Sequence, residues 1–221
     1  SKSSIAQSVV TGTVVALPNT FGKQIMFLDG HEIYFYAADW PTLALGDIVQ
    51  ITGTNSESGG NARLKISGAE AIVITGHVDL TPAPIDGSEL ATTPHGLLVS
   101  VAGRVIGKDG NELSIVTDDG ATVTALGNKR TGVSWSSFQI GSIILTGIVK
   151  HTDAGTTIAV RAPNDVHFTP EAVIDSPARK DGSPTRSNTT PIVGGGLLTG
   201  SVGALGTWYL RSRKGLLSWL Q

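Results

Sequence analysis

The chain has 221 residues, of which 40% are hydrophobic and 15% charged, for a formal net charge of −2. With 28 glycines, 10 prolines and no cysteine, the composition excludes a disulfide scaffold, thiol catalysis and zinc–thiolate sites, and the near-neutral balance argues against a duplex-binding basic surface. Short runs of Val, Ile and Thr between glycines point to all-β structure.

In chain order, alternation of apolar and polar residues predicts strands over 9–17, 24–28, 32–36, 48–54 and 63–74. Asp29-Gly30 supplies a tight turn between the second and third strands, and a short helical turn carrying Trp40 is expected before the fourth. Residues 79–94, with Pro82, Pro84 and Pro94, read as a linker. The pattern then returns. Val10-Thr11-Gly12-Thr13-Val14-Val15 is matched by Val101-Ala102-Gly103-Arg104-Val105-Ile106. Residues 39–49 align without a gap to 134–144, setting Trp40 over Trp135, and Thr52-Gly53 meets Thr146-Gly147. Asp119-Gly120 repeats the turn, and Gly12 and Gly103 suit a bend or bulge inside the first strand of each copy. The equivalent tryptophans argue for barrel plugs.

Five strands in this order, with the pattern V-x-G-x-V, D-G, then L-G-D-x-V-x-I-x-G, resemble the OB-fold, a five-stranded Greek-key barrel. The resemblance implies two tandem OB-like barrels, over 1–78 and 95–169, and a ligand face on the outside of strands two and three. By alternation Ile25, Phe27, Ile33 and Phe35 are expected inside the first barrel, with Met26, Leu28, Tyr34 and Tyr36 outside. Candidate ligand-binding residues are therefore Lys23, Met26, Tyr34, Tyr36, Arg63 and Lys65: rings to stack bases or sugars, and cations to meet phosphate or carboxylate. The second copy offers Ser114, Val116, Thr122 and Thr124 at the matching positions, and more cations. Lys108, Lys129, Arg130, Lys150 and Arg161 are its candidate nucleic-acid-binding residues. The competing reading is that the apolar outer residues pack against the other barrel or an upstream domain.

A Pro/Ser/Thr-rich stalk is expected over 170–190, and the uncharged run 191–210 reads as a transmembrane helix, about 30 Å long at 1.5 Å per residue. Arg211, Arg213 and Lys214 follow as a membrane stop, making 211–221 a cytoplasmic tail and the barrels extracytoplasmic. Gly196, Gly200 and Gly203 offer a small-residue face for homodimerisation of that helix. The plan resembles the tandem OB modules of bacterial membrane-anchored surface proteins. No secretory h-region opens the chain, so export implies a longer polypeptide with upstream domains.

No catalytic constellation is present. The five histidines show no ligand spacing and read as surface or loop residues; Gly107-Lys108-Asp109-Gly110 reads as a hairpin turn, and Asp118-Asp119 lacks the rest of a calcium loop. No metal or cofactor is expected. The expected function is a non-enzymatic, membrane-anchored binding or spacer module whose partners are the lipid bilayer and an upstream domain, surface protein or glycan. The alternative is extracellular binding of single-stranded nucleic acid.

Overall fold

The computed structural model describes residues 7–136 and 139–171. The chain first forms β1 (Gln7–Ala16), β2 (Ile25–Leu28), β3 (His31–Phe35), β4 (Asp47–Ser58), β5 (Asn61–Ile66) and β6 (Ile72–His77). The order β1-β2-β3-β5-β4 closes through a β1–β4 pairing, with β6 added along β4. All pairs in the ring are antiparallel except β3–β5, which is parallel. After β7 (Ala83–Pro84), the second copy runs through β8 (Leu98–Asp109), β9 (Glu112–Thr117), β10 (Thr122–Leu126), β11 (Gly141–Thr152), β12 (Gly155–Ala159) and β13 (Val166–Pro170). Its ring β8-β9-β10-β12-β11 closes through β8–β11, again with one parallel pair, β10–β12. Each is a closed five-stranded barrel with the strand order of the OB-fold.

The repeat is visible in register. Gly12 pairs with Val49 as Gly103 pairs with Ile143. The gap-free alignment of 39–49 with 134–144 therefore slips by one residue inside the fourth strand: Val49 corresponds to buried Ile143, while Ile144 is half exposed. A single-residue shift reverses which side of a strand faces in, so burial fixes the register more tightly than likeness of sequence does. Gly53 and Gly147 coincide after that correction. A Cβ on Gly53 would lie 2.6 Å from the Lys65 carbonyl oxygen, and one on Gly147 would lie 2.6 Å from that of Ala159. The fourth strand crosses the fifth that closely in both barrels, and glycine is the residue that permits it.

Three sequence expectations change. The strand expected over 63–74 is two strands, separated at Ser67-Gly68 by a 3₁₀ turn at Ala69–Ala71, so that β4 receives both β5 and β6 along one edge. Between β3 and β4 no helical turn forms; Trp40 is held instead by its indole N–H on the Lys23 carbonyl (2.8 Å) and by edge-on contact with Phe35. In β2 the two faces are exchanged. Met26 and Leu28 point into the first core with Val14, Ile33, Phe35, Val49 and Ile51, whereas Ile25 and Phe27 point out. Alternation sorts a strand into two faces without saying which is inside, and here both are apolar because both are covered.

What covers the outer face is the second barrel. Phe27, Val15 and Ala16 form a buried cluster with Leu98 and Ile148, flanked by Phe21, Ile25 and Leu80. Residues 79–94 run along barrel 2: β7 pairs with β8, the Asp119 carboxylate accepts the Ser88 N–H (2.9 Å), and Leu90 packs against Val99, Val101, Val123 and Ile158. Trp135 is fully buried in the second core and donates to the Asn111 carbonyl (2.9 Å). The stalk (170–190), the transmembrane helix (191–210), its glycine face at Gly196, Gly200 and Gly203, and the stop at Arg211, Arg213 and Lys214 lie almost wholly outside the described residues. Among the described residues no helix is long and apolar enough to cross a membrane.

Candidate nucleic-acid interface

With Ile33 and Phe35 turned inward, β3 presents Glu32, Tyr34 and, just beyond its end, Tyr36 on the outer surface. The neighbouring strand β5 buries Leu64 and Ile66 and so turns Arg63 and Lys65 outward. The parallel register sets Lys65 opposite Tyr34. Arg63 reaches across so that its guanidinium lies 4.2 Å from the Tyr34 ring centroid, and its Nε donates to Ser56 Oγ on β4 (3.2 Å). The cation is thus held over an aromatic face, an arrangement that spares a ligand the cost of ordering it. Tyr36 is 74% exposed, and its carbonyl accepts the Gln24 side-chain amide at 2.7 Å, which brings the start of β2 and Lys23 to the same end. Lys23, Arg63 and Lys65 are the Lys and Arg residues among the described residues of barrel 1; all three border this one surface.

Met26 does not belong to it. That side chain is fully buried in the barrel core. Of the six first-barrel candidates, the structure therefore brings together Tyr34, Arg63 and Lys65, with Tyr36 and Lys23 at one end.

The second-barrel cations are not brought together. Arg161 is bound to Asp165 through both Nε (2.9 Å) and Nη2 (2.8 Å) and donates from Nη1 to the Val15 carbonyl of barrel 1 at 2.7 Å. Lys150 lies 5.6 Å and 5.5 Å from the ring centroids of Phe21 and Phe27, inside the joint. Lys108 donates to the Ser136 carbonyl (2.6 Å). Lys129 and Arg130 are exposed in the loop that follows β10. On the outside of β9 and β10, Ser114 faces Thr124 and Val116 faces Thr122, with no ring among them.

Of the histidines expected at the surface or in loops, His95 lies in the turn before β8 and His151 in β11, and both stand in the inter-barrel joint. The His95 ring stands 3.4 Å from the buried Glu32 carboxylate through Nε2, accepts the His151 backbone N–H at Nδ1 (3.2 Å), and tilts against Phe27. The His151 ring bridges the Thr93 carbonyl and the Thr156 hydroxyl, both at 2.9 Å, while its own carbonyl accepts the Asn61 amide at 2.9 Å. Sequence spacing could not reveal this group, because its partners come from both barrels and meet only through tertiary contact. Elsewhere, Asp47 is held below the usual carboxylate range by the Ala44 N–H and then by His77. Asp119 is lowered further by the Thr117 hydroxyl and the contacts from Ser88. Among the described residues no group of three or more His, Cys, Asp or Glu could hold a metal ion.

No family model matches the chain, and no curated protein matches it. Solved structures do. The chain is similar to the U. maydis replication protein A bound to ssDNA, with 22% identity over 44% of this chain and 82% of that one at a TM-score of 0.34. It is also similar to the p204 HINb domain, with 14% identity over 74% of this chain and 96% of that one at a TM-score of 0.35. A third is the single-stranded DNA binding protein from Thermus aquaticus, with 13% identity over 81% of this chain and 98% of that one at a TM-score of 0.27.

Proposed function

We infer that the chain is a non-enzymatic binder of single-stranded nucleic acid, and that barrel 1 carries the binding surface. The observation that carries this reading is Arg63 laid on Tyr34 with Lys65 opposite and Tyr36 exposed beside them. Flat rings accept bases of any identity, and cations at their edges meet the phosphates. Residues 5–78 carry six acidic side chains against Lys23, Arg63 and Lys65; that excess does not oppose the reading, because these cations are gathered on one side. A docking role for the outer face of β2 is already used within the chain, since Ile25 and Phe27 pack on barrel 2. Location enters the proposal from the sequence: the uncharged run 191–210 and the cations at 211–214 anchor the chain in a bilayer with the barrels on the extracytoplasmic side.

The test is a fluorescence-anisotropy titration of labelled oligothymidylate with the full chain in mild detergent. Two or three phosphates met by Lys23, Arg63 and Lys65 predict a fall in affinity of about 25- to 125-fold for a tenfold rise in salt. Absence of binding at low salt overturns the function.

A further inference from the structure

Barrel 2 fills part of the surface on which a ligand of barrel 1 would otherwise lie. Phe27, at the middle of the outer face of β2, is fully buried against Leu98 and Ile148. Phe21, in the loop after β1, is pressed into the same cluster beneath Lys150. On the far side, the turn between β4 and β5 is tied down as well, since the Asn61 amide donates to the His151 carbonyl (2.9 Å) and to the Gly59 carbonyl (3.1 Å). Between these two blocked loops stands the Glu32 carboxylate, on the same outer row as Tyr34 and two residues before it, only 8% exposed and turned to His95. A phosphodiester approaching from Tyr34 toward barrel 2 would meet that negative charge and then the joint.

We propose that the joint cuts the binding surface short: the strand crosses β3, β5 and β4 of barrel 1 past Tyr36, Tyr34, Arg63 and Ser56, stops at Glu32, and does not continue onto barrel 2. This rests on the single-strand reading of that face. The tandem arrangement is therefore not a long continuous binding groove. Barrel 2 is a buttress that truncates and rigidifies its neighbour's site, consistent with the use of Arg161 and Lys150 in holding the barrels together and with the ring-free outer face of β9 and β10. The footprint is the short end of the range for such barrels, about four nucleotides, with one ligand per chain.

The experiment titrates the full chain in detergent, at low salt, with labelled oligothymidylates of 3, 4, 6, 8 and 12 nucleotides. Affinity is expected to rise up to the four-nucleotide probe and then to gain only the statistical factor of added registers, about ninefold at twelve nucleotides. A gain of a hundredfold or more between four and twelve overturns the truncated path while leaving the binding function intact; no binding at any length removes the function itself. Glu32→Gln, which keeps a hydrogen-bond acceptor for His95, is expected to strengthen the 12-mer severalfold without changing the 4-mer. Equal effects on both lengths, or none, overturn the role of Glu32 as the boundary.

Discussion

Met26 and Phe27 are adjacent, fully buried and apolar, yet they hold different parts of the molecule together. Met26 lies in the core of barrel 1, and Phe27 lies in the joint, edge-on to Phe21 at 5.8 Å and tilted on His95 at 5.8 Å. Truncation of a buried Phe to Ala costs about 3–5 kcal/mol and of a buried Met about 2–5 kcal/mol, so the two losses are similar in size. They differ in where they fall. Phe27→Ala removes coupling energy, and amides of both barrels, in β4 and in β11, lose protection together while each barrel keeps its own core. Met26→Ala lowers protection in β1, β2 and β4 and leaves β11 and β12 at their original level. Hydrogen exchange read by peptide mass spectrometry separates the two patterns. If Phe27→Ala depresses barrel 1 alone, or costs less than about 1 kcal/mol, a well below the range for a buried ring, then the placement of this ring between the barrels is wrong.

Tyr34→Ala removes a stacking surface worth about 1–3 kcal/mol per base and should weaken oligonucleotide binding about 5- to 150-fold; unchanged affinity in the anisotropy titration refutes the site. Arg63→Lys keeps the charge but loses the guanidinium that lies 4.2 Å from the Tyr34 ring centroid, so it should weaken binding severalfold with little change in salt dependence. Gly53→Ala and Gly147→Ala each force a Cβ to 2.6 Å from a carbonyl of the neighbouring strand; urea denaturation should show matching losses of about 1–3 kcal/mol in the two barrels. The Asp119 carboxyl is held well below its ordinary range by the Thr117 hydroxyl and the Ser88 contacts. A lowered carboxylate contributes stability above its unfolded value, about 4, and loses that contribution as pH falls through the folded value. The difference in melting temperature between wild type and Asp119→Asn should accordingly be greatest near neutrality and shrink as acid is added below about pH 4; a difference independent of pH refutes the bonding seen at Asp119.

The barrels were legible in the sequence because their determinants are local and doubled. The turns at Asp29-Gly30 and Asp119-Gly120 fall where expected, with Gly30 at φ +78° and Gly120 at φ +81°. The glycines of the fourth strands recur because the same close crossing recurs. The inside and outside of β2 were not legible, since Ile25, Met26, Phe27 and Leu28 form one uninterrupted apolar run. Only β3, where Glu32 and Tyr34 alternate with Ile33 and Phe35, carried enough contrast to orient itself. For that reason Tyr34 was expected on the outer face, where the structure has it, whereas Met26 was expected outside and lies in the core.

That asymmetry between the two strands also bears on function. An uninterrupted apolar strand in a small barrel signals that its outer face is covered, and in this chain the cover is the neighbouring barrel, which reaches Phe27 through Leu98 and Ile148. In the alternating strand β3 the outer row is polar; its Glu32 end is covered by the joint, while toward its other end Tyr34 accepts Arg63 and, just past the strand, Tyr36 stands exposed. The division of the outer surface into a sealed half and an open half is thus set by the contrast between Ile25–Leu28 and His31–Phe35. A ligand that needs both rings and cations finds them on the open half alone.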